Sequence, residues 1–153
     1  MPNVLDLSRN VPRSPFETLH GFMWLPRLID KTRAMQAGTL GDYAPYPCPG
    51  DRNFLGFFGI KADELGQLIA SGADDDTIGA WVARHAKQPP DAFNQKLVKP
   101  PANLFYQVLV WLFKTRLKKR LQQSQTVRDD RDWREVDSLA KILAVEEGHP
   151  FPS

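Results

Sequence analysis

Apolar residues recur at three- and four-residue spacing along most of the chain, which is the period of an amphipathic helix. Examples of this spacing are Leu65, Leu68 and Ile69, followed by Ile78, Trp81 and Val82. Strict alternation of apolar and polar residues, the pattern of a half-buried strand, extends over no more than a few residues. The sequence therefore predicts an all-α protein, an irregular bundle of about six or seven short to medium helices with little or no sheet.

Capping residues set the expected bounds of the first two helices. The stretch SPFE at 14–17 combines an N-cap serine, a proline at the first helical position and a glutamate three residues after the cap. We expect it to start a short helix that ends at Gly21. Pro26 disfavours helical geometry at Leu25, so a second helix is expected to begin there and to run to Gly38.

Residues 38–51, GTLGDYAPYPCPGD, hold too many prolines and glycines for a regular element, and we expect them to form an ordered loop. Asp51 is expected to cap a helix that covers Asn53 to Phe58 and ends at Gly59. A further helix is predicted at 62–71, with Gly72 as its end, and another after the three aspartates 74–76, which offer N-caps.

The C-terminal part begins with a proline-rich connector at 87–101 and continues with the longest helical candidate, 102–123. The first half of that helix is apolar on nearly every side, and we expect it to be a buried core helix. A last helix is predicted from about residue 130 to 146 by its apolar spacing.

The bulk composition describes an ordinary soluble protein. A length of 153 residues predicts a single domain, 1–153, with an extended lead-in at 1–13. The net charge of +2 gives no support to a nucleic-acid partner. The lone Cys48 excludes an intrachain disulfide and fits a reducing compartment. No signal peptide and no membrane span are visible, so we expect a cytoplasmic location.

The candidate chemistry is concentrated on the helix that begins at Leu25 and on the loop that follows it. The candidate ligand-binding residues are Arg27, Asp30, Lys31, Arg33, Tyr43, Cys48 and Asp51. Asp30 lies three positions from both Arg27 and Arg33, so these side chains can touch.

Three interpretations of these charges compete. They could form a pocket in which Arg27 and Lys31 bind a small anion or a peptide, with Asp30 orienting Arg27. They could instead be a structural clasp that holds the backbone of the 38–51 loop, or a solvated face.

An enzyme is the alternative to a binding module. Cys48 precedes a predicted helix N-terminus and could act as a nucleophile, and Asp30 with the neighbouring cations could also take part in a reaction. No histidine lies at a diagnostic spacing from either residue, so no catalytic residue is assigned. No metal-ligand spacing and no cofactor motif is present, and we expect neither a metal nor a cofactor. Because catalysis needs at least two cooperating groups, the sequence favours a non-catalytic binding module.

The segment KTRLKKR, 114–120, supplies a third interpretation. Its five basic residues could bind an acidic surface or nucleic acid, or they could be neutralised by the acidic residues that follow at 129–135. Trp111 and Phe113 on the same helix could serve a homodimer as easily as a core.

Beyond these separate features, the sequence resembles a bacterial family catalogued as domain of unknown function 5069. The residues that carry the resemblance are Trp24-Leu25-Pro26-Arg27, Asp30-Lys31, Arg33-Ala34, Gly38, Gly41, Tyr43, Cys48-Pro49, Asp51 and Gly59-Ile60. The preceding LDLSRNVPRSP and the closing Asp137 and Glu146-Glu147-Gly148 are also similar. The resemblance covers residues 4–84 well and 128–148 more loosely. It implies a shared fold and assigns no activity.

Overall fold

The computed structural model describes residues 4–100, 102–123 and 132–152. The chain divides into two compact units, Met1–Asn94 and Gln95–Ser153. The described residues form seven helices and one two-stranded sheet, which confirms the predicted all-α class. The helices are α1 Leu25–Gln36, α2 Pro49–Phe58, α3 Ala62–Ala70, α4 Asp75–His85, α5 Pro90–Val98, α6 Leu104–Gln123 and α7 Leu139–Glu147. The single domain stays a prediction.

The helix predicted from SPFE is wrong, because this stretch forms a turn that leads into a β-hairpin. Strands β1 (Thr18–Leu19) and β2 (Phe22–Met23) pair antiparallel, and His20 and Gly21 form the turn with φ values of 50° and 83°. Positive φ at both central residues is the geometry of the tight hairpin turns. The Ser14 hydroxyl accepts a hydrogen bond from the amide two residues later, so it closes a local turn and does not cap a helix.

Helix α1 begins at Leu25, as predicted, and ends at Gln36. Gly38, the predicted end, lies two residues further on with a φ of 72°. Leu28 and Ile29 are fully buried on one side. The opposite side, which carries Arg27 and Lys31, is buried as well. A helix that is buried on two faces must hold its charged side chains in place with partners from the surrounding chain.

Helix α2 begins earlier than predicted, at Pro49, with Cys48 at the N-cap position, so the loop predicted at 38–51 is corrected to 38–48. Asp51 is therefore not the N-cap but the third helical residue, from which its carboxylate reaches back to the Cys48 amide. The expectation that Asp51 caps the helix is corrected to a capping box, in which cap and third residue satisfy each other. Gly59 ends the helix, as predicted, with a φ of 67°.

The core of the first unit is built around packed aromatic rings. Their members are Phe22 from β2, Phe54, Phe57 and Phe58 from α2, and Phe93 from α5, with centroid separations of 4.9 to 6.3 Å. Four of these seven pairs are edge-to-face, a favoured geometry of aromatic contacts, and the other three are tilted. This core sets the position of α2.

Helices α3 and α4 follow their predicted bounds closely. Asp74 is the N-cap of α4 and its carboxylate accepts a hydrogen bond from the Thr77 amide, which confirms one of the three predicted caps. The predicted connector is partly wrong, because α5 lies inside it and begins at Pro90, a residue that suits the first turn of a helix. The Asn94 side chain binds the hairpin turn through Gly21 and Met23.

In the second unit, α6 packs against α7. The buried residues of this core are Val110, Leu117, Val136, Ile142 and Val145. Helix α7 begins later than predicted, at Leu139, because Ser138 caps it through the Lys141 amide. The predicted start near residue 130 and the acidic residues Asp129 and Asp130 lie outside the described residues.

The basic segment of α6 is partly paired within this unit. The Lys114 ammonium donates to the carbonyl of Trp133, and Arg120 forms an exposed ion pair with Glu146. The apolar first half of α6 departs from its prediction as a buried core helix, since Leu104 and Phe105 are 79% and 81% exposed. None of the described helices combines the length and the apolar surface needed to cross a lipid bilayer.

Candidate functional site

The charged residues of α1 divide between two groups of contacts. The loop cluster consists of Trp24, Arg27, Lys31, Tyr43, Cys48 and Asp51, where α1 meets the 38–48 loop and the start of α2. The ion-pair network consists of Arg13, Asp30, Arg33 and Asp75, where α1 meets the N-terminal segment and the start of α4. Each group has its own geometry and its own degree of burial.

The Asp51 carboxylate is the centre of the loop cluster and is fully buried. One oxygen accepts a hydrogen bond from the Trp24 indole N–H at 2.9 Å, and the other accepts from the Cys48 amide at 2.9 Å. The Lys31 ammonium lies 3.8 Å from that second oxygen. Two neutral donors and one cation therefore satisfy a carboxylate that has no access to water.

Lys31 connects this carboxylate to the thiol. Its Nζ donates a hydrogen bond to Cys48 Sγ over 3.1 Å, and its side chain is only 4% exposed. Cys48 is buried and is the N-cap of α2. The thiol therefore lies between an ammonium group and the amides of a helix N-terminus, both of which interact favourably with negative charge.

Arg27 lies between two aromatic rings in the same cluster. Its guanidinium carbon is 5.7 Å from the Trp24 ring centroid and 5.8 Å from that of Tyr43. Both distances fall within the range of cation–π attraction. Gly50 permits the close approach of Trp24 to α2, because a Cβ at this position would overlap the indole ring. Arg27 is buried, whereas Tyr43 is half-buried and belongs to the loop.

The loop is tied to the neighbouring helices largely by side chains. The Tyr46 hydroxyl donates to the carbonyl of Ala62, and the Arg52 side chain donates to the carbonyl of Pro47. Burial, together with the charges of Asp51 and Asp63, raises the pKa of Tyr46 well above its usual value. Tyr46 therefore remains a neutral hydrogen-bond donor at physiological pH.

The ion-pair network surrounds the opposite part of α1. The Arg13 guanidinium binds both oxygens of Asp30, at 2.8 to 3.1 Å, and its backbone amide also donates to this carboxylate. Arg13 and Arg33 each contact one oxygen of Asp75 at 2.6 Å. Arg33 also donates to the carbonyl of Ala73. These bonds hold the N-terminal segment and the start of α4 against α1.

Asp75 is partly exposed, and opposing effects act on its pKa. Burial by itself would raise the pKa of Asp75, but the hydrogen bonds and charges of Arg13 and Arg33 outweigh it and hold the pKa below its usual value. The carboxylate is therefore ionised at neutral pH and bridges two guanidinium groups.

The structure brings together five of the seven predicted site residues, namely Arg27, Lys31, Tyr43, Cys48 and Asp51. Asp30 and Arg33 belong to the other group, and Asp30 binds Arg13 where the sequence spacing suggested Arg27. Sequence reasoning missed Arg13, Asp75 and the indole of Trp24 as partners. The spacing of charges on α1 carried no signal for Arg13, because it lies 17 residues before Asp30.

No group of three histidine, cysteine, aspartate or glutamate side chains suited to a metal ion occurs among the described residues. The cations of α1 are shielded from solvent, with Arg27 and Lys31 each 3% exposed and Arg33 7%. An anion can therefore reach them only if a covering segment moves, and the 38–48 loop covers Arg27 through Tyr43.

These features define a mainly helical protein in which α1 holds a buried charged cluster beneath an irregular loop. The family model described as Domain of unknown function (DUF5069) matches residues 9–148, and the chain belongs to this family. The match includes both contact groups and α7, and it confirms the family resemblance carried by residues 24–60. No curated protein matches the chain.

Proposed function

We propose that the protein is a non-catalytic binding module, in which a small anion or a peptide binds at the loop cluster formed by the 24–34 helix and the 38–51 loop. The observation that carries the proposal is the position of Arg27 between Trp24 and Tyr43. A guanidinium held between two rings keeps its planar set of donors in a fixed orientation, which is the arrangement that binds carboxylates and phosphates.

The loop supports the proposal because it supplies the half-buried residue that covers Arg27. Tyr43 lies on a segment without helix or strand, whereas Lys31 and Asp51 belong to α1 and α2. Displacement of Tyr43 would open the guanidinium to a ligand and leave the capping box of α2 intact. The rigid part of the cluster would then orient the bound group.

The ion-pair network has a different role in this proposal. Asp30 and Arg33 are engaged with Arg13 and Asp75, so they position α1 and do not contact the ligand. A cytoplasmic location remains a prediction from the sequence.

The test is a thermal-shift titration with inorganic phosphate, citrate and an acetylated acidic tetrapeptide. A probe at a hundred times its Kd stabilises the folded state by about 2.7 kcal/mol, which raises the Tm by roughly 5–10 °C. We expect this shift in the wild type and in Arg33→Met, and its loss in Arg27→Met. Both variants remove a buried guanidinium from α1, so Arg33→Met is the matched control for destabilisation.

Two results contradict the proposal. One is the absence of a shift with every probe in the wild type. The other is an equal shift in Arg27→Met, which would locate the anion elsewhere. A lower Tm of Arg27→Met in the absence of any ligand effect would assign Arg27 to a structural clasp.

A small enzyme that uses Cys48 is a second candidate, and the 3.1 Å contact between Lys31 Nζ and Cys48 Sγ favours it. An adjacent ammonium group promotes the nucleophilic thiolate form of a cysteine. We expect iodoacetamide at pH 7 to alkylate Cys48 of the folded protein faster than free cysteine, and Lys31→Met to abolish the difference. Alkylation that occurs only on unfolding would exclude this candidate. No comparable observation favours Asp30, since Arg13 occupies both of its oxygens.

A further inference from the structure

An exposed apolar stripe runs along the first half of α6. Its members are Leu104, Phe105, Val108, Trp111 and Leu112, with exposed fractions of 79%, 81%, 47%, 59% and 43%. At about 100° per residue, these positions fall within roughly 120° of one another around the helix axis. They therefore form one continuous surface along this half of the helix.

The stripe faces away from the core of its own unit. Val110 and Leu117, which pack against α7, lie on the other side of α6. Helix α6 thus has two apolar faces in its first half, and only one of them is covered by described residues of the same unit. Helices that are apolar all round are normally buried, and an exposed apolar patch of this size indicates a binding surface.

We propose that this stripe binds the same stripe of a second copy of the chain, with the two α6 helices antiparallel and Val108 at the two-fold axis. Around the helix axis, Phe105 and Leu112 lie on one side of Val108, and Leu104 and Trp111 lie on the other. An antiparallel two-fold pair centred on Val108 keeps each side together, so Phe105 meets Leu112 of the second copy and Leu104 meets Trp111. All five members of the stripe meet another member, which is the self-complementarity that a two-fold interface requires.

The size of the stripe fits a modest dimer interface. The two aromatic residues each offer on the order of 150 Å² of exposed surface, and the three aliphatic residues bring the total to roughly 600 Å² per copy. The pair would therefore bury about 1,200 Å², the lower end of the range for specific protein–protein interfaces. The two aromatic side chains of each copy would supply most of the affinity.

The charges of α6 favour the antiparallel arrangement over the parallel one. The apolar stripe contains no charge, and the five basic residues lie at 114–120. A parallel pair would place the two basic segments side by side. In the antiparallel pair their centres lie about 27 Å apart at 1.5 Å per residue, roughly three Debye lengths at physiological salt.

The experiment is sedimentation velocity on the full chain at roughly 1 to 200 µM, the range in which a small interface associates. We expect the wild type to form a concentration-dependent dimer. Phe105→Glu should weaken it at least tenfold, because it places a charge against Leu112 of the second copy. Phe113→Glu is the matched control, since Phe113 is 46% exposed on the same helix but lies off the stripe, and it should dimerise like the wild type.

The register has its own test in the double variant Phe105→Glu with Leu112→Lys. Only an antiparallel pair centred on Val108 places the new carboxylate at position 105 of one copy against the new ammonium group at position 112 of the other. Dimerisation should therefore be regained relative to either single change.

Circular dichroism should show that all variants retain the wild-type helix content, because each changed side chain is at least 43% exposed. A wild type that stays monomeric at every concentration would overturn the proposal, as would equal weakening by Phe113→Glu. Failure of the double variant to recover would overturn the antiparallel register. Co-sedimentation of a monomeric wild type with anionic phospholipid vesicles would assign the stripe to a membrane surface instead.

Discussion

The loop cluster and the ion-pair network both hold charged residues of the same helix, α1, but they differ in access to water. Asp51 at the centre of the loop cluster is fully buried, whereas the Asp75 side chain in the network is 32% exposed. Asp51 receives two hydrogen bonds from neutral donors and one longer contact from Lys31. Asp75 receives two short contacts from guanidinium groups.

The comparison shows that the depth of burial decides what a charged residue contributes. A buried carboxylate that loses its charge leaves its cation without compensation in a medium of low polarity, and this is costly. When a partly exposed carboxylate is removed, water solvates its former partners in part, so the loss of stability is smaller. The two groups should therefore respond differently to matched substitutions.

The largest effect is expected from Asp51→Asn, which keeps the size of the side chain and removes its charge. Lys31 then becomes a buried cation without its carboxylate, and the free energy of unfolding should fall by about 3–5 kcal/mol. Urea unfolding of the wild type and the variant measures this loss. If Asp51→Asn lowered the free energy of unfolding by less than Arg33→Met does, the loop cluster would not be the more tightly coupled of the two groups.

A smaller effect is expected from Arg33→Met, which retains the apolar stem and removes the guanidinium. The variant loses hydrogen bonds to Asp75 and to the Ala73 carbonyl, while Arg13 continues to bind Asp75. We expect the free energy of unfolding to fall by about 1.5–3 kcal/mol. Lys61→Ala is the control, because it breaks an exposed ion pair with Glu64 and should leave urea unfolding unchanged.

The smallest effect is a change in the pH dependence of stability in Asp75→Asn. Because the pKa of Asp75 is lowered in the folded state, its ionisation stabilises the protein above the unfolded pKa of about 3.9. That contribution is lost as the pH falls through the lower folded pKa. The difference in stability between wild type and variant should therefore be largest near neutral pH and shrink below about pH 4. A difference in urea midpoint that stays constant from pH 7 to pH 3 would contradict this account.

Much of the fold could be predicted from local signals. The Asp74 cap and the glycines that follow α1, α2 and α3 gave helix ends close to those observed, because capping depends on a few neighbouring residues. The hairpin at 18–23 was missed for the opposite reason. Its SPFE stretch satisfies the local rules of a helix start, but the turn at His20 and Gly21 and the bonds to Asn94 stabilise a different structure.

The candidate site was predicted only in part. The sequence identified the residues of the loop cluster, since their charged and aromatic types are concentrated within 28 positions, 24–51. It could not assign the partners of Asp30 and Arg33. Spacing along a helix finds neighbours three and four residues apart, but Arg13 and Asp75 reach α1 from distant segments.

The sequence by itself determined the helical class, most helix ends and the family, because each depends on residue type and on short-range spacing. Only the tertiary structure decided which charges meet, that Asp51 lies within the capping box of α2, and that α6 leaves one apolar face exposed. The physical reason is that burial and ion pairing depend on contacts between segments far apart in the chain. Such contacts produce no repeating pattern of residues in the sequence.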